Sequence, residues 1–531
     1  MTEAVKPAVG ALDPLRGPVF RMLWSAWLAA NIALWMHDVA AGWLMTTLTT
    51  SAALVALVQT MSTLPMFLLG LPSGALADIL DRRRYFAATQ LWAAALAVLL
   101  SIVALAGALT APLLLALTFL NGITMAMRWP VFSAIVPSVV PRAQLPAALA
   151  LNGVAMNLPR IVGPMLAGLL LSSMGVQAVF MLNAVLSSIA FIVIVRWRSN
   201  QKESALPGER FLGAMRVGVQ HVLASPRMRM VLLHIGLFML QTAALPALLP
   251  LLARSMPGAG AGTFAAMLAA TGVGAIAMAL VFPRLRHRVG RNAAVSVGRV
   301  AQALAAVSVA FSPSLWFALP GMMLAGAAMM MAANTLSVSA QLSLPDWVRA
   351  RGIAIYQMAL MGGSAIGAAL WGQVAHFTDL RTALVAAAAF GLLVAVFTRH
   401  LSLQASVADE HQPAAGGSVP EVGIAIDADD GPVMVTVEYL IDPARAAEFD
   451  EVMRLTRQAR LRQGVLSWSL FRDTTVPGRY LEHFVDESWV EHQRRLERFT
   501  AGDAGLRERR LALHLGEAAP RVQRYVSAAV E

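Results

Sequence analysis

Cysteine is absent from the 531 residues, so the chain has no disulfide framework, zinc–thiolate site or thiol nucleophile. Charge is scarce. Only 13% of residues are Asp, Glu, Lys or Arg, where a soluble domain carries roughly a quarter. Acids are the scarcest: the first 400 residues hold nine of them against 26 Lys and Arg, whereas residues 401–531 hold 21 acids against 15 bases. The formal net charge of +11 would alone suggest a nucleic-acid partner, but this uneven placement excludes one. What abounds is apolar, at 58% hydrophobic residues with mean hydropathy +0.64. A soluble enzyme of two or three domains is excluded. The composition is that of an apolar, basic body in a lipid bilayer with an acidic, soluble-looking tail.

A spanning helix needs about 20 mostly apolar residues. Twelve such stretches are expected, at about 20–45, 52–76, 85–109, 113–136, 146–171 and 178–195, then about 230–252, 263–282, 293–311, 315–339, 353–375 and 382–399. The first 20 residues show no long apolar run before a small-residue cleavage site, so the first span is expected to act as the insertion signal. The expected layout is a terminus over 1–19, six-helix bundles over 20–195 and 230–400, and a middle loop over 196–229. A linker over 401–431 and a domain over 432–528 follow.

Basic residues in loops set orientation. One side carries Lys6, Arg16, Arg21, Arg82, Arg83, Arg84 and Arg142, the basic residues of the middle loop, and then Arg284, Arg286, Arg288, Arg291, Arg349, Arg351 and Arg399. The other side carries only Arg254 and Arg381. Both termini and the middle loop are therefore expected in the cytoplasm of a bacterial cell, with the body in the cytoplasmic (inner) membrane. The halves echo one another: Pro141, Gly163 and Gly168 recur at an offset of 204 as Pro345, Gly367 and Gly372. Six plus six spans with internal repeats mark a secondary transporter with its site near the midplane.

The loop after the second span holds Gly74, Asp78, Asp81, Arg82, Arg83 and Arg84, with a looser echo at Gly290 and Arg291. It resembles the signature loop G-x-x-x-D-R-x-G-R-R of the major facilitator superfamily, with Ile79 and Asp81 departing from the pattern. The resemblance implies an all-α fold of twelve helices in two six-helix halves, and a latch between the halves at this loop. Gly74 is expected to let helices approach closely. Trp35 to Ala40 with Trp43, Arg128-Trp129-Pro130, Asn157 to Pro164, and Tyr356-Gln357 before Gly362-Gly363 are similar to the transmembrane secretion effector branch, which includes the enterobactin exporter. His37 stands where that branch commonly has Gln. Gly163, Pro164 and Gly168 partly resemble the antiporter motif of the fifth helix. These, with Gly363 and Gly367, read as helix-packing positions.

Charges within spans are rare and tend to be functional. Asp38 is the acid placed well inside a span. Asn31, Trp35, Asp38 and Gly42 recur at helical spacing and share one face. A carboxyl alternating between paired and protonated states suits proton coupling, so Asp38, with His37, is the proton-coupling candidate; capping or pairing near the helix end is its structural alternative. Asn121, Thr124 and Arg128 form one polar stripe, and Asn157 and Arg160 belong to another. Guanidinium there suits an anionic substrate, unless Arg128 snorkels and Arg160 pairs with helix-end carbonyls. Arg299, one turn from a basic loop, is expected to snorkel. His234 with Gln241, and Asn334 with Ser337, complete the cavity candidates, on helices that line the cavity in the superfamily. No strand and no Lys-Ser/Thr accompany the glycines near 363, so nothing supports ATP use, and no metal or other cofactor is expected.

From Pro432 the pattern alternates with period two, and strands and helices follow in the order β-α-β-β-α-β, ferredoxin-like. This α+β domain resembles the dimeric α/β-barrel domains of antibiotic-biosynthesis monooxygenases. Its histidines and tryptophans match no metal or triad spacing, so a regulatory, binding or self-associating role is expected rather than catalysis. The whole reads as a proton-coupled exporter of a small amphipathic molecule, drug-like or siderophore-like, acting by alternating access. An uptake symporter and a membrane-tethered enzyme or sensor are the alternatives.

Overall fold

In the computed structural model, residues 10, 12–197, 211–258, 260–285, 289–345, 347–399 and 422–528 are described. The side chains of Asp78, Arg82, Trp129, Pro130 and Arg142, like residues 401–421 of the expected linker, lie outside the described residues. The first half comprises α1 (Pro18–Leu48), α2 (Ala52–Ile79), α3 (Arg82–Leu105), α4 (Ala111–Val139), α5 (Leu145–Asn157), α6 (Pro159–Ser173) and α7 (Val176–Arg196). Then come α8 (Phe211–Ala224), α9 (Pro226–Thr242), α10 (Ala244–Ser255), α11 (Ala261–Leu285) and α12 (Arg291–Ala310). The array ends with α13 (Leu315–Leu342), α14 (Arg349–Phe377) and α15 (Leu380–Thr398). Because α5 with α6, and α9 with α10, each form one broken span, the described residues contain 12 helices long and apolar enough to cross a membrane.

Breaks and ends follow local chemistry. Pro159 lacks an N–H and opens α6 at the break after Asn157. Gly175 turns the chain between α6 and α7 at φ +83°, a backbone open to glycine but strained for other residues. Asp81, where the signature loop expects Gly, is the N-cap of α3 and accepts from the Arg84 N–H at 2.7 Å. That bond satisfies a donor the helix leaves orphaned.

The recurring glycines have matching jobs in the two halves. Gly163 on α6 faces α1 so closely that an added Cβ would lie 2.5 Å from that of Trp35. Its repeat mate Gly367 on α14 faces the backbone of Leu240 on α9. Gly363 likewise lies against Gly236, whose carbonyl oxygen an added Cβ would approach to 2.5 Å. Five residues on from the first pair, the contacts cross between halves: Gly168 touches Ala265 of α11, and Gly372 touches Ala56 of α2. Thr60 Oγ1 also donates to the Ala365 carbonyl at 3.0 Å, and Arg254 donates to the Thr46 carbonyl. All four of these crossings sit toward the arginine-poor ends of the helices. Without the extra carbon of alanine, backbones of facing helices come within van der Waals range, the small-residue packing membrane helices favour.

A second compact unit contains α8, the start of α9, the turn between α13 and α14, and the C-terminal domain. That domain runs β1 (Val433–Leu440), α16 (Ala446–Gln463), β2 (Ser467–Arg472), β3 (Arg479–Asp486), α17 (Trp489–Glu497), α18 (Ala501–Leu511) and β4 (Arg521–Val526). The strands form one antiparallel sheet ordered β2-β3-β1-β4, the ferredoxin-like arrangement expected. Its core gathers Val433, Val435, Val437, Phe449, Val452 and Phe484. Gly464 closes α16 at φ +103°, and its N–H reaches the carbonyls of Arg460 and Leu461, the left-handed cap that favours glycine.

Candidate functional site

The polar stripe of α1 faces outward from its own helix toward α6 and the second half. Gly163 abuts Trp35, and a Cβ on Gly42 would touch Pro250 of α10 at 3.4 Å. Between them, Asp38 is partly buried and its Oδ1 accepts from Ser62 Oγ of α2 at 3.1 Å. Trp35 lies beneath the Arg160 guanidinium, 5.6 Å from ring centroid to Cζ, within cation–π range. Asn31 turns back on its own helix, with Nδ2 donating to the Trp27 carbonyl at 2.9 Å. His37, one residue and about 100° from Asp38, is buried instead against Phe180 of α7 at 6.0 Å. The structure thus brings Asp38, Trp35 and Arg160 to one face and leaves His37 inside the first half. Sequence reasoning missed Ser62; a lone serine in an apolar span carries no periodic signal.

On α4, Arg128 is only 4% exposed, so it does not snorkel. Its guanidinium sits 5.1 Å from the Trp27 ring centroid, and Trp27 stacks on Phe132 at 4.2 Å. Arg128 Nε and Thr124 Oγ1 are buried without a hydrogen-bond partner among the described residues, while Asn121 is half-buried. Asn157 Nδ2 donates to the Gly153 carbonyl at 2.8 Å. Asn157 and Arg160 flank the break between α5 and α6, and both are exposed. Asn334 and Ser337 on α13 are half-buried.

The expectation that Arg299 snorkels is corrected. It is fully buried, with Nη1 donating to Thr398 Oγ1 at 2.6 Å and Nη2 to the His234 carbonyl at 3.1 Å. Gln241 Nε2 returns a bond to the Arg299 carbonyl at 3.1 Å, with its amide packed on Gly391. Two hydrogen bonds to neighbouring helices hold the cation, while its Nε has no hydrogen-bond partner among the described residues. Arg299 therefore bolts α9, α12 and α15 together, and Gln241 serves the bolt inside its own half. At Gly74 of the signature loop, an added Cβ would meet no described atom within 4 Å. Arg83 Nη2 donates to the Val195 carbonyl at the end of α7 at 2.8 Å. In the echo, Gly290 is the N-cap of α12, Arg291 its first residue, and a Cβ on Gly290 would meet open space.

The C-terminal domain buries two ionic clusters. Glu482, with no exposed surface, accepts from Arg460 Nε at 3.1 Å, Trp468 Nε1 at 3.0 Å and the Tyr439 hydroxyl at 3.0 Å. Burial pushes its carboxyl up, but Arg460, Arg510 and the hydrogen bonds outweigh burial and hold it below its ordinary value. Asp486 follows the same balance through Arg495 and His492. His492 Nδ1 meets Asp486 Oδ2 at 2.7 Å while Nε2 accepts from Arg524 Nε at 3.2 Å. Burial lowers the imidazole's pKa more than the Asp486 hydrogen bond raises it. With both ring nitrogens engaged, His492 has no lone pair to offer a substrate. It is a structural histidine.

Twelve helices long and apolar enough to span a membrane, in two halves that meet through matched glycines, have the architecture of the major facilitator fold. The chain belongs to the transmembrane secretion effector family, whose profile it matches over residues 9–531. It is 26% identical over 237 residues to macrolide efflux protein A of Streptococcus pyogenes, covering 44% of this chain and 58% of that protein's length. The solved nucleoside transporter NupG matches with a TM-score of 0.56 at 16% identity, over 72% of this chain and 98% of its own. A bacterial homologue of the human lysosomal transporter Spinster, inward-facing and unoccupied, matches with a TM-score of 0.60 at 16% identity, over 73% and 97%. At such identities the two structures bear on the fold.

Proposed function

We propose that this transporter exports a small amphipathic molecule across the bacterial inner membrane in exchange for protons, with both termini in the cytoplasm. The observation that carries the reading is Asp38, an acid inside an apolar array, hydrogen-bonded only to the neutral Ser62 among the described residues. A carboxyl with a neutral partner can accept and release a proton as its surroundings change, and it sits on the α1 face turned toward α6 and the second half. Arg160 stacked on Trp35 supplies positive charge next to aromatic surface, which suits an amphipathic ligand carrying negative charge. Likeness to a macrolide efflux protein supports export, and the motifs near Trp35, Asn157 and Gly362 support kinship with the enterobactin-exporter branch. The strand order of the C-terminal domain supports its resemblance to monooxygenase-like barrels acting in binding or regulation, self-association included.

In everted vesicles, a panel of amphipathic compounds including a macrolide and a catecholate siderophore should show uptake that rises with an imposed proton gradient. Asp38→Asn should abolish the gradient-driven part and leave downhill exchange intact. Proton-driven flux that survives Asp38→Asn removes Asp38 from coupling, and accumulation only in right-side-out vesicles turns the reading to uptake.

A further inference from the structure

A guanidinium keeps its charge in any protein surroundings, so a buried arginine needs acceptors or negative charge beside it. Arg299 finds two acceptors on neighbouring helices. Arg128, 4% exposed on α4, makes no hydrogen bond or ion pair among the described residues. From Arg128, α4 runs eleven residues further to Val139, about 16 Å at 1.5 Å per residue, too far for the side chain to reach the arginine-rich side. The intramembrane acid is no closer: Asp38 lies eleven residues beyond Trp27 along α1 and is bonded to Ser62. The Trp27 ring answers the charge in part, with Arg128 Cζ 5.1 Å from its centroid, a cation–π contact. That ring is stacked on Phe132 at 4.2 Å and tilted against Phe86 at 6.5 Å. Two more donors are buried here without a hydrogen-bond partner among the described residues. They are Trp27 Nε1 and the Thr124 hydroxyl, one turn before Arg128 on the same face of α4.

We propose that Arg128, with Trp27 and Thr124, holds a small monovalent anion of the halide class within the first half. The donor set gives the reason. A guanidinium and an indole N–H have no acceptor atom, and a hydroxyl can donate as well, so what completes the group is a species that only accepts. The electrostatics set its charge. One fixed cation in apolar surroundings neutralises one negative charge, and the cost of leaving water rises steeply with ionic charge, so a divalent phosphate or sulfate would stay in water. The packing limits its size, because the aromatic rings of Trp27, Phe86 and Phe132 already fill the surroundings. Every side chain of the site belongs to the first half, so the ion travels with that half and is distinct from a cargo passed between the two. The inference does not depend on the direction of transport or on proton coupling.

The test uses the full chain in detergent micelles, exchanged exhaustively into sodium gluconate and then titrated with sodium chloride at constant ionic strength. An ion bound only by the folded state raises the thermal midpoint with the logarithm of its concentration once half-saturation is passed. The wild-type midpoint should therefore climb with chloride, and with bromide, but not with sulfate. Arg128→Gln should have the same midpoint in gluconate and chloride, which also separates site binding from a general salt effect. Thr124→Val keeps the charge and nearly the shape, so it tests the site in a chain that folds. Loss of one hydrogen bond to a charged partner should raise its half-saturating chloride concentration about ten-fold or more. Three results overturn the site: equal wild-type midpoints in gluconate and chloride, a chloride shift undiminished in Arg128→Gln, or an unchanged half-saturation in Thr124→Val.

Discussion

Gly168 offers the sharpest test of the paired-glycine architecture. A β-carbon there overlaps that of Ala265 across the halves, so Gly168→Val forces α6 and α11 apart at their arginine-poor ends. Overpacking a fitted interface costs about 1–3 kcal/mol. That cost falls on the state in which these ends touch, and largely vanishes once they separate. A penalty of about 1.4 kcal/mol changes a two-state ratio about tenfold, so the range corresponds to a shift of roughly 5- to 150-fold. Gly372→Val makes the same change at the pseudo-equivalent contact with Ala56, and the two penalties should approach additivity because they share no partner.

A single cysteine at Phe264, 3% exposed beside Gly42 and Trp43, reports the opening. Labelled with a membrane-impermeant maleimide from the arginine-poor side, it should react at least five-fold faster in the Gly168→Val chain and faster still in the double variant. Gly262→Val is the control, since a Cβ there meets nothing within 4 Å. Equal labelling in all four chains refutes the idea that the glycines govern closure at these ends. Faster labelling with Gly262→Val would show that bulk on α11 matters and contact does not.

Two predictions concern the C-terminal domain, read by hydrogen exchange across residues 433–440 in the intact protein. Glu482→Leu leaves Arg460 and Arg510 buried without their carboxylate, a loss of about 3–5 kcal/mol, so protection of β1 should collapse; retained protection shows the cluster is dispensable. Stability should also fall on acidification in two stages. His492 has a folded pKa below its ordinary 6.5, so the unfolded chain binds the extra proton and stability declines as pH drops below that value. Glu482, Asp486 and Glu491 have depressed carboxyl pKa values, so their contribution is intact above the unfolded carboxylate range and is lost as pH falls through their folded values. Protection that rises between pH 7 and 5 contradicts the first stage.

The fold was legible because its signals are local. Span length and period-two strands each need only a window of sequence, and the offset joining Gly163 to Gly367 needs only a comparison of windows. What could not be read depends on distant partners. Arg299 looked like a snorkelling residue because its loop is one turn away; Thr398, which binds it, is 99 positions along the chain. His37 and Asp38 are neighbours in sequence, yet a helix turns them toward Phe180 and Ser62 respectively. The helix α8 was subsumed in a loop because Arg216 reads there as one of the basic residues that set orientation. The apolar spacing of Leu212, Met215, Val219 and Val222 at i, i+3, i+7 and i+10 was its available signal.

Sorting the polar residues by partner narrows the mechanism more than sorting them by depth. Arg299, Gln241 and Arg83 spend their hydrogen bonds within one half, on groups of other helices in that half. Asp38 too is bonded within its own half, to Ser62, but it sits one turn from Gly42, which meets Pro250 of the second half. Asp38, Trp35 and Arg160 lie on the α1–α6 face turned toward the second half, with fewer fixed partners. A group whose surroundings change as the halves rock is the kind whose proton affinity can change with it. The division predicts where function is lost without loss of fold. Substitutions at Arg299 should destabilise the second half, whereas substitutions at Asp38 should leave it folded and uncouple it.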